Sequence, residues 1–508
     1  MQLSISILIP ILILISSCFG GKVLLLPHPF VLSHVMLLYR LAGKLAERGH
    51  NVTMLRWPAT DSIASRPIPL GVNVIDYHFE KREWVLDEID RIVWTIPESA
   101  SMYFNFMKKG LGVAIEPCQT LIAQPELMQR LRDEHYDLVF IDPNAHGCSW
   151  IIANQIDAPY ISVIPSLAIH TLEYAAGTPS PFSTVPCMFS AFSDRMNFQE
   201  RMTNMFAQLG LTSSYWWALE YLISLCSPWK VTAHNPLMIL LLQNAILEYA
   251  RPYTLTMVPA GTKEWLREPN ISTALVFQKL PSPVLDPMSK GTIIFSMTTM
   301  GRHAILPDDI KQTFRDAFRQ LSDYRIIWRQ LSVNDTLDVG DLPHVYTTSW
   351  FNQMDVFAHN KTKLLITHAG LTTVIEAATH GIPILAMPLC IDHHANAVRL
   401  VSRGSALRMA KNALTVELVV HKIRQIVEHQ SFSDKAHNIR AMMSTHKTGL
   451  YGEEQDIFVW WLEYGIRHGF KLRTLKPNTT HMTFVDYFLL DVDVTMLFVI
   501  VAFVSWIR

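Results

Sequence analysis

WFNQMDVFAHNKTKLLITHAGLTTVIEAATHGIPILAMPLCIDHHAN, residues Trp350–Asn396, is the most informative part of the sequence. Within it, Lys363–Thr367 is a mostly apolar run too short to form a helix, and such a run predicts a buried strand of a parallel sheet. Leu371–His380 has a helical composition, Ile384–Pro388 is a second buried strand, and Asp392 opens a further helix. Two successive strand–helix units indicate a doubly wound α/β domain.

Polar residues follow both predicted strands at the point where each strand ends. His368 and Gly370 come after the first strand, and Asp392 and His393 come after the second. In sheets of this kind, ligands bind beyond the carboxyl ends of the strands, against helix N-termini whose free N–H groups favour anions. The stretch therefore predicts a ligand site for a molecule that carries an anionic group.

The same residues resemble the signature of the UDP-glycosyltransferases of the glucuronosyltransferase type. The resemblance rests on these positions, and a weaker similarity extends over nearly the whole chain: Trp350, Gln353, His368-Ala369-Gly370, Glu376, His380-Gly381-Ile382-Pro383, Pro388 and Asp392. It implies an α/β fold of two Rossmann-like domains that face each other across a cleft, the GT-B type.

The resemblance also implies a role for each matching residue on the side of the UDP-sugar donor. Trp350 and Gln353 are expected to hold uracil, and Glu376 the ribose hydroxyls. His368 and the helix start after Gly370 are expected to hold the diphosphate. Asp392 and its neighbour His393 are expected to bind the sugar hydroxyls.

Threonines stand at phosphate-facing positions where the family usually has Gly, Ser or Asn. Thr298 lies in the loop Ser296–Gly301, and Thr372 and Thr373 begin the helix after the first strand. Their hydroxyl groups can donate to phosphate, but their β-branched side chains narrow the approach. His393 likewise replaces the usual Gln, as in members that use galactose.

Transfer of a sugar to a hydroxyl requires a base, whereas fixed donors around the diphosphate remove the need for a general acid. His34 follows the strand Lys22–Leu26 at the start of a helix predicted over His34–Arg48, and it matches the family's catalytic histidine by its place. Asp142, at the end of the strand Leu138–Asp142, matches the carboxylate that orients this base. His28 is predicted to be a loop histidine.

Five buried strands are predicted in the first half of the chain, with Tyr160–Ile164 closing the set. The strands before it are Lys22–Leu26, Asn51–Arg56, Val72–Asp76 and Leu138–Asp142. Residues 166–250, which include the apolar run Leu237–Leu242, are predicted to form irregular helices. These helices line an apolar cavity, touch a membrane or form an ordinary accessory layer, and the sequence leaves the three alternatives open.

The length of 508 residues predicts two or three domains, and a formal net charge of −1 gives no electrostatic basis for binding nucleic acid. The predicted ranges are a signal peptide at 1–20, an acceptor-binding domain at 21–278, a UDP-sugar-binding domain at 279–450, a crossing helix and tail at 451–482, and a transmembrane segment at 488–507. We therefore expect a single-pass type I protein of the endoplasmic reticulum membrane with lumenal catalytic domains. Homo-oligomerisation stays open.

The five cysteines after the signal peptide show no metal-binding spacing, and both disulfides and buried free thiols are open. His393 and His394 are adjacent on one helix and point to different faces, so no metal site is predicted. No cofactor is expected, because the UDP-sugar is a co-substrate. Among the N-glycosylation sequons, Asn51 begins a strand and is predicted to be buried.

The sequence thus predicts an inverting glycosyltransferase that moves glucuronic acid, glucose or galactose from a UDP-sugar to a hydroxyl of a small lipophilic acceptor. The alternative is a protein on the same scaffold that binds a nucleotide-sugar or a lipophile without turnover. The threonines at 298–299 and 372–373 favour this alternative, whereas the His34–Asp142 pair favours the enzyme.

Overall fold

The computed structural model of the chain describes residues 20–28, 31–57, 67–77, 93–94, 115–143, 148–167, 170–226, 236–260, 287–297, 306–329, 339–348, 351–445, 457–487 and 489–507. Two of the predicted site residues, Thr298 and Trp350, lie outside these ranges, as does most of the predicted signal peptide.

The first half of the chain forms a parallel sheet of seven strands in the order β3-β2-β1-β4-β5-β6-β7. The strands are β1 Lys22–Leu26, β2 Asn51–Arg56, β3 Val72–Asp76, β4 Leu138–Ile141, β5 Tyr160–Ile164, β6 Ile239–Leu241 and β7 Met257–Pro259. The first five match the predicted strands within one residue, because each is a short segment rich in apolar and β-branched residues with polar or turn residues near its ends.

The prediction that Tyr160–Ile164 closes the sheet is wrong. Ile239–Leu241 pairs in parallel with this strand and Met257–Pro259 pairs with Ile239–Leu241, so two further strands extend the edge. The apolar run Leu237–Leu242, predicted to be helical, is buried in the sheet. Short apolar runs do not distinguish a buried strand from a buried helix, and these two strands have only three residues each.

Helices cover the first sheet. They are α1 Leu32–Glu47, α2 Pro125–Asp133, α3 Cys148–Gln155, α4 His170–Ala175 and α5 Phe198–Cys226. Helix α1 buries Leu38, Leu41 and Leu45 on one face, the spacing that an amphipathic helix requires. It begins two residues before the predicted start, so that His34 lies within its first turn.

The second half forms a parallel sheet of six strands in the order β10-β9-β8-β11-β12-β13. Its strands are β8 Thr292–Phe295, β9 Arg325–Arg329, β10 Val345–Thr348, β11 Thr362–Thr367, β12 Ile384–Ala386 and β13 Ala406–Arg408. Its helices are α6 Asp308–Arg319, α7 Gln353–Phe357, α8 Leu371–His380, α9 His393–Ser402, α10 Val416–Glu428 and α11 Gln430–Thr445. In chain order this is the 3-2-1-4-5-6 arrangement of a dinucleotide-binding fold.

Helix α12, Ile457–His468, returns to the first sheet after the second half is complete. Phe458 and Leu462 are fully buried there, in the same core as Leu41 and Leu138. Gly465 allows the close approach, because a Cβ atom at this position would lie 2.5 Å from Ile161 Cδ1. The end of the chain therefore packs against its beginning.

The chain ends with α13 Phe484–Tyr487 and α14 Leu490–Ile507. Within the described ranges, no helix combines the length and the apolar content needed to cross a membrane. Helix α14 exposes large apolar side chains, including Leu497 and Phe498.

The structure also shows the state of four cysteines and the exposure of Asn51. A disulfide joins Cys118 and Cys148, whereas Cys187 and Cys390 are buried free thiols. Asn51 is exposed, which corrects the prediction that it is buried. Only this first residue of its strand is exposed, and the next five are buried.

Candidate active site

His34 and Asp142 are in direct contact at the carboxyl ends of two neighbouring strands. β1 and β4 are paired in parallel, so the segments that follow Leu26 and Ile141 emerge at the same edge of the sheet. His34 Nδ1 lies 2.6 Å from Asp142 Oδ2. The Asp142 side chain is fully buried, while 15% of the His34 side chain is exposed. A carboxylate in this place holds the proton on Nδ1 and leaves Nε2 able to accept another from the cleft.

His28 also belongs to this group, although the sequence predicts only a loop histidine. Its ring packs edge-on against the His34 ring with 5.4 Å between the centroids, and the residue is 4% exposed. The base is therefore held from two sides, by the Asp142 carboxylate and by the His28 ring.

Gln353 and Glu376 form a polar pair on the second half. Gln353 Nε2 donates to Glu376 Oε2 over 2.8 Å, which joins the start of α7 to the middle of α8. Burial raises the pKa of Glu376 above its usual value, and Arg40, Gln353 and Arg329 oppose this shift. The carboxylate is thus kept in a sheltered place where it can accept hydrogen bonds from a diol.

The start of helix α8 combines His368 with free backbone N–H groups. Gly370 is the residue before the first turn, and a Cβ atom there would lie 2.6 Å from His368 Nε2. Only glycine lets the imidazole lie over the helix start. Ala369, between them, has a φ of 66°, a strained conformation of the kind that clusters at ligand sites.

The first turn of α8 is suited to an anion even though its side chains are uncharged. Thr372 and Thr373 lie there, both partly exposed, next to the N–H groups of the helix start. Burial, together with the charge of Arg329, lowers the pKa of His368 to about 4, so the imidazole is neutral at physiological pH. The positive charge near this point comes from Arg329, at the end of β9.

Asp392 precedes α9 and has one oxygen already engaged. Asp392 Oδ2 accepts from the Leu167 backbone N–H over 3.2 Å and from Asn396 Nδ2 over 3.1 Å. The residue is 5% exposed, and burial raises its pKa. Ile391, just before it, has a φ of 52°. Both of these bonds end on Oδ2, and neither of them occupies Oδ1.

His393 is held in one tautomer by its own helix start. The Cys390 backbone N–H donates to His393 Nδ1 over 3.3 Å, so Nε2 carries the proton. Burial lowers the pKa of His393 well below its usual value, and the charges of neighbouring basic groups add to this effect. His393 is therefore a neutral donor, and its ring packs edge-on against that of His368 with 4.5 Å between centroids.

The two groups face each other across one cleft. Burial raises the pKa values of Asp392 and Glu376, and across the cleft His34 opposes the rise at Asp392 while Arg40 on α1 opposes the rise at Glu376. The structure thus brings together ten of the twelve predicted site residues, and the other two, Thr298 and Trp350, lie outside the described part of the chain.

Sequence reasoning missed four contributors to this site. Arg329 could have been predicted from the sequence, because it ends a strand next to the centre of the sheet, where ligands bind. Arg40 and Asn396 are polar residues on amphipathic helices and look like solvated positions. Leu167 acts through its backbone N–H, a group that every residue except proline has.

Among the described residues, no group of three or more His, Cys, Asp or Glu side chains is arranged to hold a metal ion. His394, next to His393, contacts Arg408 instead, with 3.2 Å between His394 Nδ1 and Arg408 Nη2.

Comparison with known proteins places these observations in one family. A family model described as "UDP-glucoronosyl and UDP-glucosyl transferase" matches residues 21–508. UDP-glucosyltransferase 2 of Dactylopius coccus is 25% identical over 99% of this chain and 95% of its own length. UDP-glucuronosyltransferase 2A3 of Mus musculus is 26% identical over 96% of this chain and 92% of its own length.

Two solved structures share the fold. The glycotransferase of kitacinnamycin has a TM-score of 0.57 at 17% identity and covers 84% of this chain and 96% of its own. Phytolacca americana UGT2, solved with UDP-2fluoro-glucose and pterostilbene, has a TM-score of 0.57 at 15% identity and covers 88% of this chain and 99% of its own. Two parallel-sheet Rossmann-like domains in the GT-B arrangement, together with the match of the family over residues 21–508, show that this chain belongs to the UDP-glucuronosyl and UDP-glucosyl transferase family and is a UDP-glycosyltransferase.

Proposed function

We propose that this transferase moves a hexosyl group from a UDP-sugar to a hydroxyl of a small lipophilic acceptor, with inversion at the anomeric carbon and His34 as the base. The observation that carries the proposal is the 2.6 Å contact between His34 Nδ1 and Asp142 Oδ2, with the carboxylate fully buried and the ring open to the cleft. This is the arrangement that a neutral imidazole needs to act as a general base.

The proposed step conserves atoms and charge. The acceptor oxygen forms a bond to the anomeric carbon while the bond from that carbon to the β-phosphate oxygen breaks, and UDP leaves with the electron pair. The acceptor proton passes to His34 Nε2, and the Asp142 carboxylate stabilises the imidazolium. The first half of the chain supplies the acceptor side.

The donor side of the proposal follows the polar groups of the second half. Gln353 with Trp350 holds uracil, and Glu376 accepts hydrogen bonds from the ribose hydroxyls. The diphosphate lies against the start of α8, where it meets His368, Gly370, Thr372 and Thr373, and the Thr298 hydroxyl is proposed as a further donor to it. Free N–H groups and hydroxyls at a helix start support this assignment.

Asp392 and His393 are proposed to hold the sugar. The free oxygen of Asp392 accepts from one hydroxyl, and the Nε2–H of neutral His393 donates to another. An acceptor beside a donor suits the adjacent hydroxyls that glucose, galactose and glucuronic acid all carry. The candidate donors are therefore UDP-glucose, UDP-galactose and UDP-glucuronic acid. The proposed reaction requires no cofactor.

The test is a transfer assay with UDP-glucose, UDP-glucuronic acid and UDP-galactose in turn, each with a set of simple phenols, and mass spectrometry of the products. The proposal expects a hexosylated phenol and stoichiometric UDP with at least one donor. UDP-sugar binding in calorimetry without product from any of the three would favour a binding protein on this scaffold. The fixed pair His34–Asp142 supports turnover over that alternative.

We further propose that the catalytic halves lie in the lumen of the endoplasmic reticulum and that α14 attaches the protein to its membrane. The Cys118–Cys148 disulfide supports an oxidising compartment. Asn51 and Asn360 begin sequons and are exposed, as glycosylation requires. Phe498 of α14 is 71% exposed, which favours contact with lipid over contact with water.

A further inference from the structure

The last turn of helix α9 is held by the first half of the chain through a buried ion pair. Arg399 Nε donates to Glu248 Oε2 over 3.2 Å, and only 9% of the Arg399 side chain and 5% of the Glu248 side chain are exposed. Arg403 Nη2 donates to the Glu248 carbonyl oxygen over 2.9 Å. Glu248 lies between β6 and β7 of the first sheet. These contacts therefore join the domain of the first sheet to the domain of the second sheet, which contains α9.

Tyr249 strengthens the same contact. The guanidinium carbon of Arg399 lies 4.7 Å from the centroid of the Tyr249 ring, and that of Arg403 lies 5.8 Å from it. Both distances are within the range of a cation–π interaction. The segment Glu248–Tyr249 thus engages both arginines at the end of α9 with its carboxylate, its carbonyl and its ring.

The other end of α9 is also held by the first half. The Leu167 N–H, which follows β5, donates to Asp392 Oδ2. Asn396, one turn into the helix, donates from Nδ2 to Asp392 Oδ2 and to the Ala369 carbonyl oxygen. Because Arg399 follows Asp392 by about 10 Å along the axis, a shift at one end of this rigid helix moves the other.

A buried polar cavity separates the two points of contact. Leu167, Gln243, Glu248 and Arg399 are among its lining residues, and the space inside it that is open to water measures about 20 Å³. Among the described residues, Gln243 Oε1, Glu248 Oε1 and Arg399 Nη1 have no hydrogen-bond partner. This space suffices for one ordered water, which would bridge such groups.

Stability alone does not explain this pair. The free-energy cost of removing two charges from water offsets most of their mutual attraction. A buried pair of this kind therefore adds little to the stability of the fold compared with apolar side chains of the same volume. What it does contribute is geometry, because a short charged contact fixes the position of both partners.

We propose that Glu248 and Arg399 are positioning residues for the transfer. They form a clamp that sets the place of Asp392, and hence of the donor sugar, relative to His34 on the opposite side of the cleft. The inference rests on the proposed role of Asp392 in holding the sugar. It adds that the donor-sugar site is complete only when the first half engages the end of α9.

The test compares Glu248→Gln, Arg399→Met and the double variant with the parent enzyme. We expect kcat/KM for the UDP-sugar to fall by about tenfold to a hundredfold, the size of effect that a misplacement of about 1 Å has on a transfer reaction. The affinity for UDP itself should change by less than about twofold, because Gln353 and Glu376 do not contact the clamp. The double variant should be no worse than the single ones, since the two residues act as one unit.

A merely structural role has a different signature. It would lower the melting temperature and scale down the amount of active enzyme, with KM and the UDP affinity unchanged, and this result would overturn the proposal. Effects that add in the double variant would overturn it too, because the two side chains would then act separately. If Arg399→Met does not fold, Arg399→Lys takes its place. Lysine keeps the charge but lacks the planar guanidinium group, so this variant should lose part of the kcat/KM for the UDP-sugar.

Two controls separate this inference from the proposed function. Arg424→Met breaks an exposed pair with Glu428 on α10, 2.9 Å long, and should leave the kinetics as they are. Asp392→Asn is measured in parallel. If it leaves the donor KM unchanged, the assignment of Asp392 to the sugar fails, and the clamp loses its basis. If it raises the donor KM while the clamp variants leave kcat/KM unchanged, the clamp alone is refuted.

Discussion

The role proposed for His34 depends on its two neighbours in the first half of the chain. Asp142 fixes the proton on Nδ1, and the His28 ring limits the rotation of the imidazole. His34→Ala removes the proton acceptor but no donor-binding group. We therefore expect kcat with a phenol to fall by about 10²–10⁴, while calorimetry gives an unchanged affinity for UDP.

Phenols that are already ionised at the assay pH need no base, and they provide the control for this variant. Their rates should fall least. A His34→Ala enzyme that keeps nearly full kcat with a weakly acidic phenol would show that another group takes the proton.

The proposed contact between Glu376 and the ribose predicts that UDP binding depends on pH. Burial raises the pKa of this carboxyl, so it becomes protonated at a higher pH than an exposed glutamate as the solution is acidified. The ionised form accepts hydrogen bonds from the ribose, and we expect UDP affinity to be full above this pKa and to decline as pH falls through it. A hydrogen bond to a charged group is worth about 1.5–3 kcal/mol, which sets the size of the loss.

Calorimetric titration with UDP between pH 5 and 8 checks this expectation. Glu376→Gln should bind UDP more weakly and with a flatter pH profile, whereas Asp392→Asn should keep the parent profile. The assignment of Glu376 would be contradicted by a parent profile that persists in Glu376→Gln.

Helix α12 is held by a contact that reverses the usual effect of replacing glycine in a helix. Alanine stabilises most helix interiors relative to glycine, by up to about 1 kcal/mol. At Gly465, however, a Cβ atom would lie 2.5 Å from Ile161 Cδ1 and 2.8 Å from Leu138 Cδ2. Overpacking of this kind costs about 1–3 kcal/mol.

Gly465→Ala should therefore lower the melting temperature, as measured by thermal unfolding. Ser444→Ala on the exposed face of α11 is the control, since it also places an alanine in a helix but removes only an exposed hydroxyl group that donates to the Ala441 carbonyl oxygen, and it should change stability by less than about 0.5 kcal/mol. A more stable Gly465→Ala protein would mean that α12 is not seated against the first sheet.

Elements of five or more residues with clear boundary signals were predictable, whereas most strands of three residues were not. The strands Lys22–Leu26 and Tyr160–Ile164 have the predicted bounds, and so does the helix Leu371–His380, whose end is fixed by Gly381 in the left-handed region. β6 and β13 have three residues each, too few for a periodicity. Their pairing is decided by neighbouring strands far away in the chain.

The candidate site also has residues that could be predicted from the sequence and residues that could not. Side chains placed by a strand end, such as His368 and Asp142, could be predicted because topology brings strand ends together. The contact of Leu167 with Asp392, and that of Glu248 with Arg399, depend on how two separately folded halves meet. No local pattern encodes such a meeting.

The whole molecule has an apolar end whose partner is proposed to be the membrane. We expect alkaline carbonate extraction to leave the full chain with microsomes and to release a chain that ends at Thr480. Release of both to the same extent would contradict attachment by α14. Retention of both would place the contact elsewhere, for example at the start of α5, where Phe198 and Phe206 are 66% and 63% exposed.

A base on one half and a donor site on the other define which face of the sugar is attacked. Because the proposed base His34 and the proposed sugar-binding Asp392 lie on opposite sides of the cleft, we expect the acceptor to approach the anomeric carbon from the side away from UDP. The configuration of the product made from a UDP-sugar with an α-linked hexose tests this arrangement most directly. We predict a β-linked product, read from the anomeric proton coupling by NMR during the first turnovers. An α-linked product would contradict direct displacement by an acceptor that His34 activates.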